Sequence, residues 1–250
     1  MIATLRTMGT VASIDVPDSA FDADDLATVR GVFDGLEQRF SLYREQSELS
    51  RIARGDLSLM QASLPLRSVY ETAIGWRSST GGAFTPHRPD GVIDLDGIVK
   101  AAAVRDAGAQ LVERGFESWC LNVGGDVFVA GTPADSDSWQ IGIIDPMDRS
   151  SLLCAIDLRA PRRAIATSGV AERGEHVWRT EAPSSGSFVQ VSVAADDIIT
   201  ADVLATAILS GGATFRDIAT EKWDIDVLTV ARSGELSMTP GMKTSVSDHA

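Results

Sequence analysis

Cysteine is nearly absent from this 250-residue chain: there are two, Cys120 and Cys154, each inside an apolar run that reads as buried strand. Two thiols are too few for a disulfide scaffold, so the sequence predicts a pair of free, buried cysteines and a reducing compartment. Positive charge is also scarce, with 22 Lys and Arg against 35 Asp and Glu and a net charge of −13. A field of that sign repels polyanions, which argues against a nucleic-acid partner and means that a phosphorylated ligand needs a local cation. No run approaches a membrane span, and the opening residues carry neither a basic-then-apolar leader nor a cysteine for lipid attachment. The expectation from these absences is a cytoplasmic protein without a membrane anchor. Repeats, low-complexity blocks and clear linkers are missing as well.

What is present is a chain with 44% hydrophobic residues, enough for a substantial core in one domain spanning 1–250 or in two closely joined lobes. Residues 2–16 alternate as one strand. Between Asp24 and Phe40, apolar Leu26, Val29, Val32, Phe33, Leu36 and Phe40 recur at helical spacing, with Asp24 or Asp25 placed to cap the start. Pro65 opens a second amphipathic run that stops at a Ser-Ser-Thr-Gly-Gly turn, from which a loop at 81–90 hangs. An alanine-rich helix is expected over 98–114, and strands over 119–130, 139–144, 152–158, 163–167, 188–194 and 226–231. Strands and helices without regular alternation indicate an α+β fold.

Three distant stretches carry the chemistry: AspLeuAspGlyIleValLys at 94–100, AsnValGlyGlyAsp at 122–126, and ThrAlaAspValLeuAlaThrAla at 200–207. In the last, Asp202 and Thr206 are four residues apart in a helical run ending at Gly211 and Gly212, so their oxygens share one face. A carboxylate beside a hydroxyl suits a hard cation such as Mg²⁺, which keeps open positions for substrate phosphates. Gly124 and Gly125 let backbone approach a ligand. Residues 94–97 stand at a helix start, where exposed N–H groups and the dipole favour an anion, and Lys100 adds a point charge.

In their order along the chain these stretches resemble the ApbE family, the FAD:protein FMN transferases. The resemblance also runs through MetGlyThr at 8–10, a segment at 41–51 containing Tyr43 and SerGluLeuSerArg, GlyGlyAlaPheThrPro at 81–86, AlaThrSerGly at 166–169, and His176. It implies an α+β fold of mixed sheets and helices with a flavin nucleotide cleft between two lobes. It implies transfer of FMN from FAD to a Ser or Thr hydroxyl of an acceptor flavoprotein, with AMP released and Mg²⁺ required. Carried over by position, the metal ligands are Asp202, Thr206 and the backbone carbonyl of Gly97. His176 is the general base and a cofactor contact, Met8 and Tyr43 flank flavin or adenine, and Ala83, Phe84 and Thr85 line the site. Asp94 and Lys100 face the ribityl or phosphate groups.

Four departures bear on that reading. After His176 the chain reads ValTrpArgThr in place of the family's AspPro, so Trp178 and Arg179 change a pocket wall. Thr85 stands where the family has aspartate, Ala53 where an asparagine is common, and Ala101 where glycine follows the lysine. Two alternatives therefore stay open: hydrolysis of FAD to FMN and AMP, and FAD binding without turnover. Plain roles compete for single residues too: His87 as a base in the 81–90 loop, Tyr43 and Phe84 as core aromatics, and Asp94 as a helix cap.

Overall fold

The computed structural model describes residues 2–18, 20–169 and 188–247. Within them, the expected single strand over 2–16 is a hairpin, β1 (Ile2–Thr7) and β2 (Thr10–Asp15). Met8 and Gly9 both take positive φ, +49° and +72°, and reverse the chain in two residues with Thr7 opposite Thr10. Periodicity alone missed this because the alternation continues in phase across the turn.

Two further strands, β3 (Trp119–Val123) and β4 (Asp126–Ala130), form a second tight hairpin around Gly124 and Gly125. Then come β5 (Trp139–Ile144) paired with β6 (Leu152–Leu158), followed by β7 (Ala164–Gly169), β8 (Phe188–Ala195), β9 (Asp226–Ala231) and β10 (Leu236–Met238). An eight-stranded antiparallel sheet runs β1-β2-β3-β4-β7-β8-β9-β10, and β5-β6 forms its own two-stranded sheet. The β8 strand is buried along its whole length, as a central strand covered on both faces must be.

Six helices complete the described fold. They are α1 (Ala23–Phe40), α2 (Glu48–Ala53), α3 (Leu64–Ser79), α4 (Asp96–Glu113), α5 (Ile198–Lys222) and α6 (Pro240–Thr244). The α1 cap is Asp22, not Asp24 or Asp25: its carboxylate accepts from the backbone of both, while Asp25 bonds back to the Asp22 N–H. Nor does α5 end at the glycine pair. Gly212 takes φ +65° within it and the helix resumes to Lys222, because Phe215 packs where a Cβ on Gly211 would lie at 2.6 Å. By length and composition α5 is apolar enough to cross a membrane, contrary to the sequence reading, yet 61% of its apolar stretch is buried inside the protein against α4, β7 and β8.

Two apolar clusters sit on the two faces of the large sheet. Ala164, Ala166, Val191 and Val193 face the core shared with α1, α4 and α5, whereas Ile165, Val189 and Val230 face the β5-β6 hairpin and Met242 of α6. The period of two along β7 separates them. The alanines of α4 let it lie close to the sheet: Gly108 admits the Trp119 ring at a spot where a Cβ would be 2.6 Å from it.

Candidate functional site

Among the described residues, the sequence motifs converge on one end of the large sheet. The Met8–Gly9 and Gly124–Gly125 turns lie side by side because β2 pairs with β3, and β7 runs toward the same end to finish at Gly169 opposite Gln190. The starts of α4 and the middle of α5 are pinned there by side-chain contacts.

The Gly-Gly turn needs its glycines. Gly124 has φ +60° and would place a Cβ 2.8 Å from Thr10 Oγ1; Gly125 has φ +93° and its N–H donates to Asn122 Oδ1 at 3.1 Å. Immediately after it, Asp126 has no exposed surface and lies 2.6 Å from Lys100 Nζ, whose side chain is 14% exposed. The other carboxylate oxygen of Asp126 accepts from the Thr167 N–H at 3.4 Å. Lys100 thus reaches the site already paired with a buried carboxylate. One residue on, Ser168 shares a hydroxyl–hydroxyl hydrogen bond of 3.1 Å with Thr206.

On α5, Asp202 is 5% exposed and sits one helical turn before Thr206. Gly97 lies in the first turn of α4, where a Cβ would come 3.1 Å from the buried Phe84 ring, and Ala83 packs toward Gly211 of α5. The 81–86 loop therefore wedges between the two helices that carry the candidate ligands. One buried carboxylate, one hydroxyl and one helix-start carbonyl form an all-oxygen donor set that fits Mg²⁺ completed by water and phosphate. No cluster of three His, Cys, Asp or Glu occurs among the described residues.

A cavity of about 430 Å³ opens beside this assembly, lined by Met8, Ser41, Tyr43, Asp96, Val99 and Lys100. Tyr43 is 82% exposed, so it is not a core aromatic. Its loop is held by the SerGluLeuSerArg segment: the Ser47 and Ser50 hydroxyls both donate to the Ser41 carbonyl, and Ser47 caps α2. That helix was not anticipated. Glu48 accepts from the Ser63 N–H at 2.7 Å and pairs with Arg39 at 3.2 Å. Burial pushes its carboxyl up, but those two partners outweigh burial and hold it below the ordinary range.

Other expected contacts have local duties. Asp94 accepts from the Asp96 N–H at 3.0 Å and so closes the first turn of α4. Thr85 accepts from the His87 N–H at 3.3 Å. His87 Nε2 lies 3.1 Å from the Tyr70 hydroxyl, and burial followed by the Arg77 charge lowers its pKa, so it stays neutral at pH 7. Phe84 is 3% exposed and packs as a core aromatic against Gly97. His176, Trp178 and Arg179 lie outside the described residues. Both cysteines are free, and burial, aided by Asp15, pushes Cys120 up to about 12. Sequence reasoning missed Asp126 and Ser168 as site residues, although each lies within a quoted motif; an acidic residue opening a buried strand was the available signal.

An antiparallel sheet with three helices on one face and a cavity at its end defines the class: an α+β fold. The sequence model of the ApbE family matches residues 8–88 and 86–229, and the chain belongs to that family. It is 33% identical over 175 residues to an FAD:protein FMN transferase from Rhodobacter capsulatus, covering 66% of this chain and 33% of that protein. A second such transferase, from Vibrio cholerae, is 27% identical over 175 residues, covering 66% of this chain and 52% of its own length. The chain thus spans about a third and about half of those relatives. The ApbE protein from Thermotoga maritima superposes with a TM-score of 0.83 at 18% identity, over 99% of each chain. The flavin transferase ApbE from Vibrio cholerae gives 0.80 at 23% identity over 98% of each. Those likenesses establish the fold.

Proposed function

We propose that the chain is a magnesium-dependent FAD:protein FMN transferase, moving FMN from FAD to a Ser or Thr hydroxyl of an acceptor flavoprotein. The observation that carries the reading is the chain of contacts from Lys100 on α4 through Asp126, Thr167 and Ser168 to Thr206 on α5, with Lys100 lining a cavity that Met8 and Tyr43 also face. The names of the two curated relatives support it.

In this reading the acceptor oxygen forms a bond to the FMN phosphorus of FAD, the bond from that phosphorus to the bridging oxygen breaks, and AMP leaves with the electron pair. The proton of the acceptor hydroxyl passes to His176. Lys100 meets phosphate charge, and Met8 and the exposed Tyr43 ring flank flavin or adenine. Asp202, Thr206 and the Gly97 carbonyl hold Mg²⁺, which when bound offsets the charge developing on the phosphate oxygens. The buried helix around Asp202 keeps the carboxylate in one orientation.

The test is incubation with FAD and Mg²⁺, with and without a flavin-acceptor domain, following AMP release and flavin fluorescence on a denaturing gel. AMP together with a fluorescent acceptor band is the expected result. AMP without a labelled band identifies FAD hydrolysis instead. FAD binding with no AMP identifies a non-catalytic flavin-binding protein.

A further inference from the structure

We propose that Asp126 is a positioning residue for this reaction, holding the Lys100 ammonium against the phosphate end of the FAD site; the proposal rests on the FAD reading above. The side chain of Asp126 is wholly buried and that of Lys100 nearly so, and their charged atoms stand 2.6 Å apart. Burying two opposite charges costs desolvation that their attraction barely offsets, and an apolar pair of similar volume commonly does as well for stability. A charged pair at this point therefore calls for a reason other than stability.

Position supplies one. Asp126 follows the Gly-Gly turn, whose shape is fixed by two positive φ values, by the Asn122–Gly125 hydrogen bond and by Thr10 lying over Gly124. That rigid turn holds the carboxylate from behind, while Lys100 lines the cavity shared with Met8 and Tyr43. An ammonium has three N–H donors, so contact with one carboxylate oxygen is compatible with another to a phosphate oxygen. Lysine also suits the role better than arginine, since its compact charge turns freely on a flexible stem and needs an anchor to be aimed. The same carboxylate accepts from Thr167, whose neighbour Ser168 bonds Thr206. Two adjacent residues of β7 thereby tie the cation to the helix bearing Asp202.

The discriminating probes are FAD and riboflavin, which share the ring and ribityl chain, while FAD adds the diphosphate and adenosine; Asp126 and Lys100 act on the diphosphate charge. In Asp126→Asn the side chain keeps its shape and loses its charge. FAD should bind several-fold more tightly, because an anion near the diphosphate is gone, and riboflavin affinity should stay within about twofold. AMP release at saturating FAD should slow at least about tenfold, because the ammonium is held less firmly. Equal weakening of both ligands, or AMP release at the wild-type rate, would overturn the proposal. Should that variant fold poorly, the paired change Lys100→Met with Asp126→Leu removes both charges. It should bind riboflavin normally and lose at least about tenfold of the preference for FAD; an intact preference overturns the assignment. Wild-type protein that binds FAD without releasing AMP would sink the transferase reading alone, with the FAD-against-riboflavin comparison still deciding the role of Asp126. Wild-type protein that binds neither ligand would overturn both.

Discussion

Helix α4 is clamped at both ends by an ion pair with a buried carboxylate, and the two clamps differ in kind. At the far end Arg114 reaches Asp25 of α1 and also donates to Thr28. Burial pushes the Asp25 carboxyl up, but the Asp22 backbone N–H and the Arg114 guanidinium outweigh it and hold the group below its ordinary value. Arginine there is a fixed fork joining two helices. At the near end the cation is lysine, its partner is wholly buried at a glycine turn, and a cavity opens alongside. A planar fork suits a permanent joint and a rotatable ammonium suits a ligand that comes and goes. On the function proposed above, similar pair chemistry on one helix divides into structure at one end and recognition at the other.

The largest effect should come from breaking the near end at its metal helix. Asp202→Ala is expected to reduce Mg²⁺-dependent AMP release at least about a hundredfold with the fold retained by circular dichroism. Unchanged release across a Mg²⁺ titration would remove Asp202 from the site. The far clamp should respond in the opposite way. Arg114→Ala leaves Asp25 short of its guanidinium and should destabilise the protein by about 2 kcal/mol, a figure discounted because the Arg114 side chain is 38% exposed. That corresponds to a fall of roughly 4–8 °C in thermal midpoint for a domain of this size, with AMP release at 25 °C within twofold of wild type. A loss of activity with no loss of stability would erase the contrast between the two ends.

A finer comparison lies within the Gly-Gly turn. Alanine at Gly124 meets both an unfavourable φ and Thr10, and should cost about 1.5 kcal/mol; Thr10→Ala in the same chain should recover part of it. Gly125→Ala meets nothing within 4 Å and pays only for its φ, so a chemical denaturation series should rank it milder. The smallest effect is on acid stability. Asp25 and Glu48 both have folded pKa values below their ordinary ones, so their contribution is fully present above the unfolded carboxyl range near pH 4 and is lost as pH falls through the folded values. His87, also lowered, adds a loss once pH drops below about 6.5, where the unfolded chain takes up a proton first. Thermal midpoints from pH 7 to pH 3 should decline less steeply in Arg114→Ala than in wild type.

Much of this arrangement was legible because hydrophobic period and glycine punctuation are local signals. The β3–β4 hairpin, the Pro65 helix and the strand at 226–231 follow from them directly. What was not legible depends on neighbours distant in sequence. The Met8–Gly9 reversal is in phase with the strand alternation, and the continuation of α5 past Gly212 depends on Phe215 filling the space over Gly211. Site chemistry divides in the same way. Asp202 and Thr206 announce a shared face by spacing alone, whereas the partner of Lys100 is 26 residues away in sequence at the end of a turn. The hydrogen bond from the Asp96 N–H to Asp94 at the start of α4 and the tether of Tyr43 through Ser41 are facts that residue type allows without specifying.

The order of the sheet carries a consequence for how the site comes into being on the ribosome. Met8, Tyr43, Gly97 and Lys100 are made early, and the hairpin with Asp126 soon after, but α5 is the last long helix and brings Asp202 and Thr206. It packs on β7, β8 and α4 at once, and β8 gains its second neighbour only when β9 is complete. A nascent chain that ends before α5 therefore holds the cavity rim without Asp202 and Thr206. The two α5 side chains join the rest only when that helix has left the exit tunnel and docked against β7, β8 and α4.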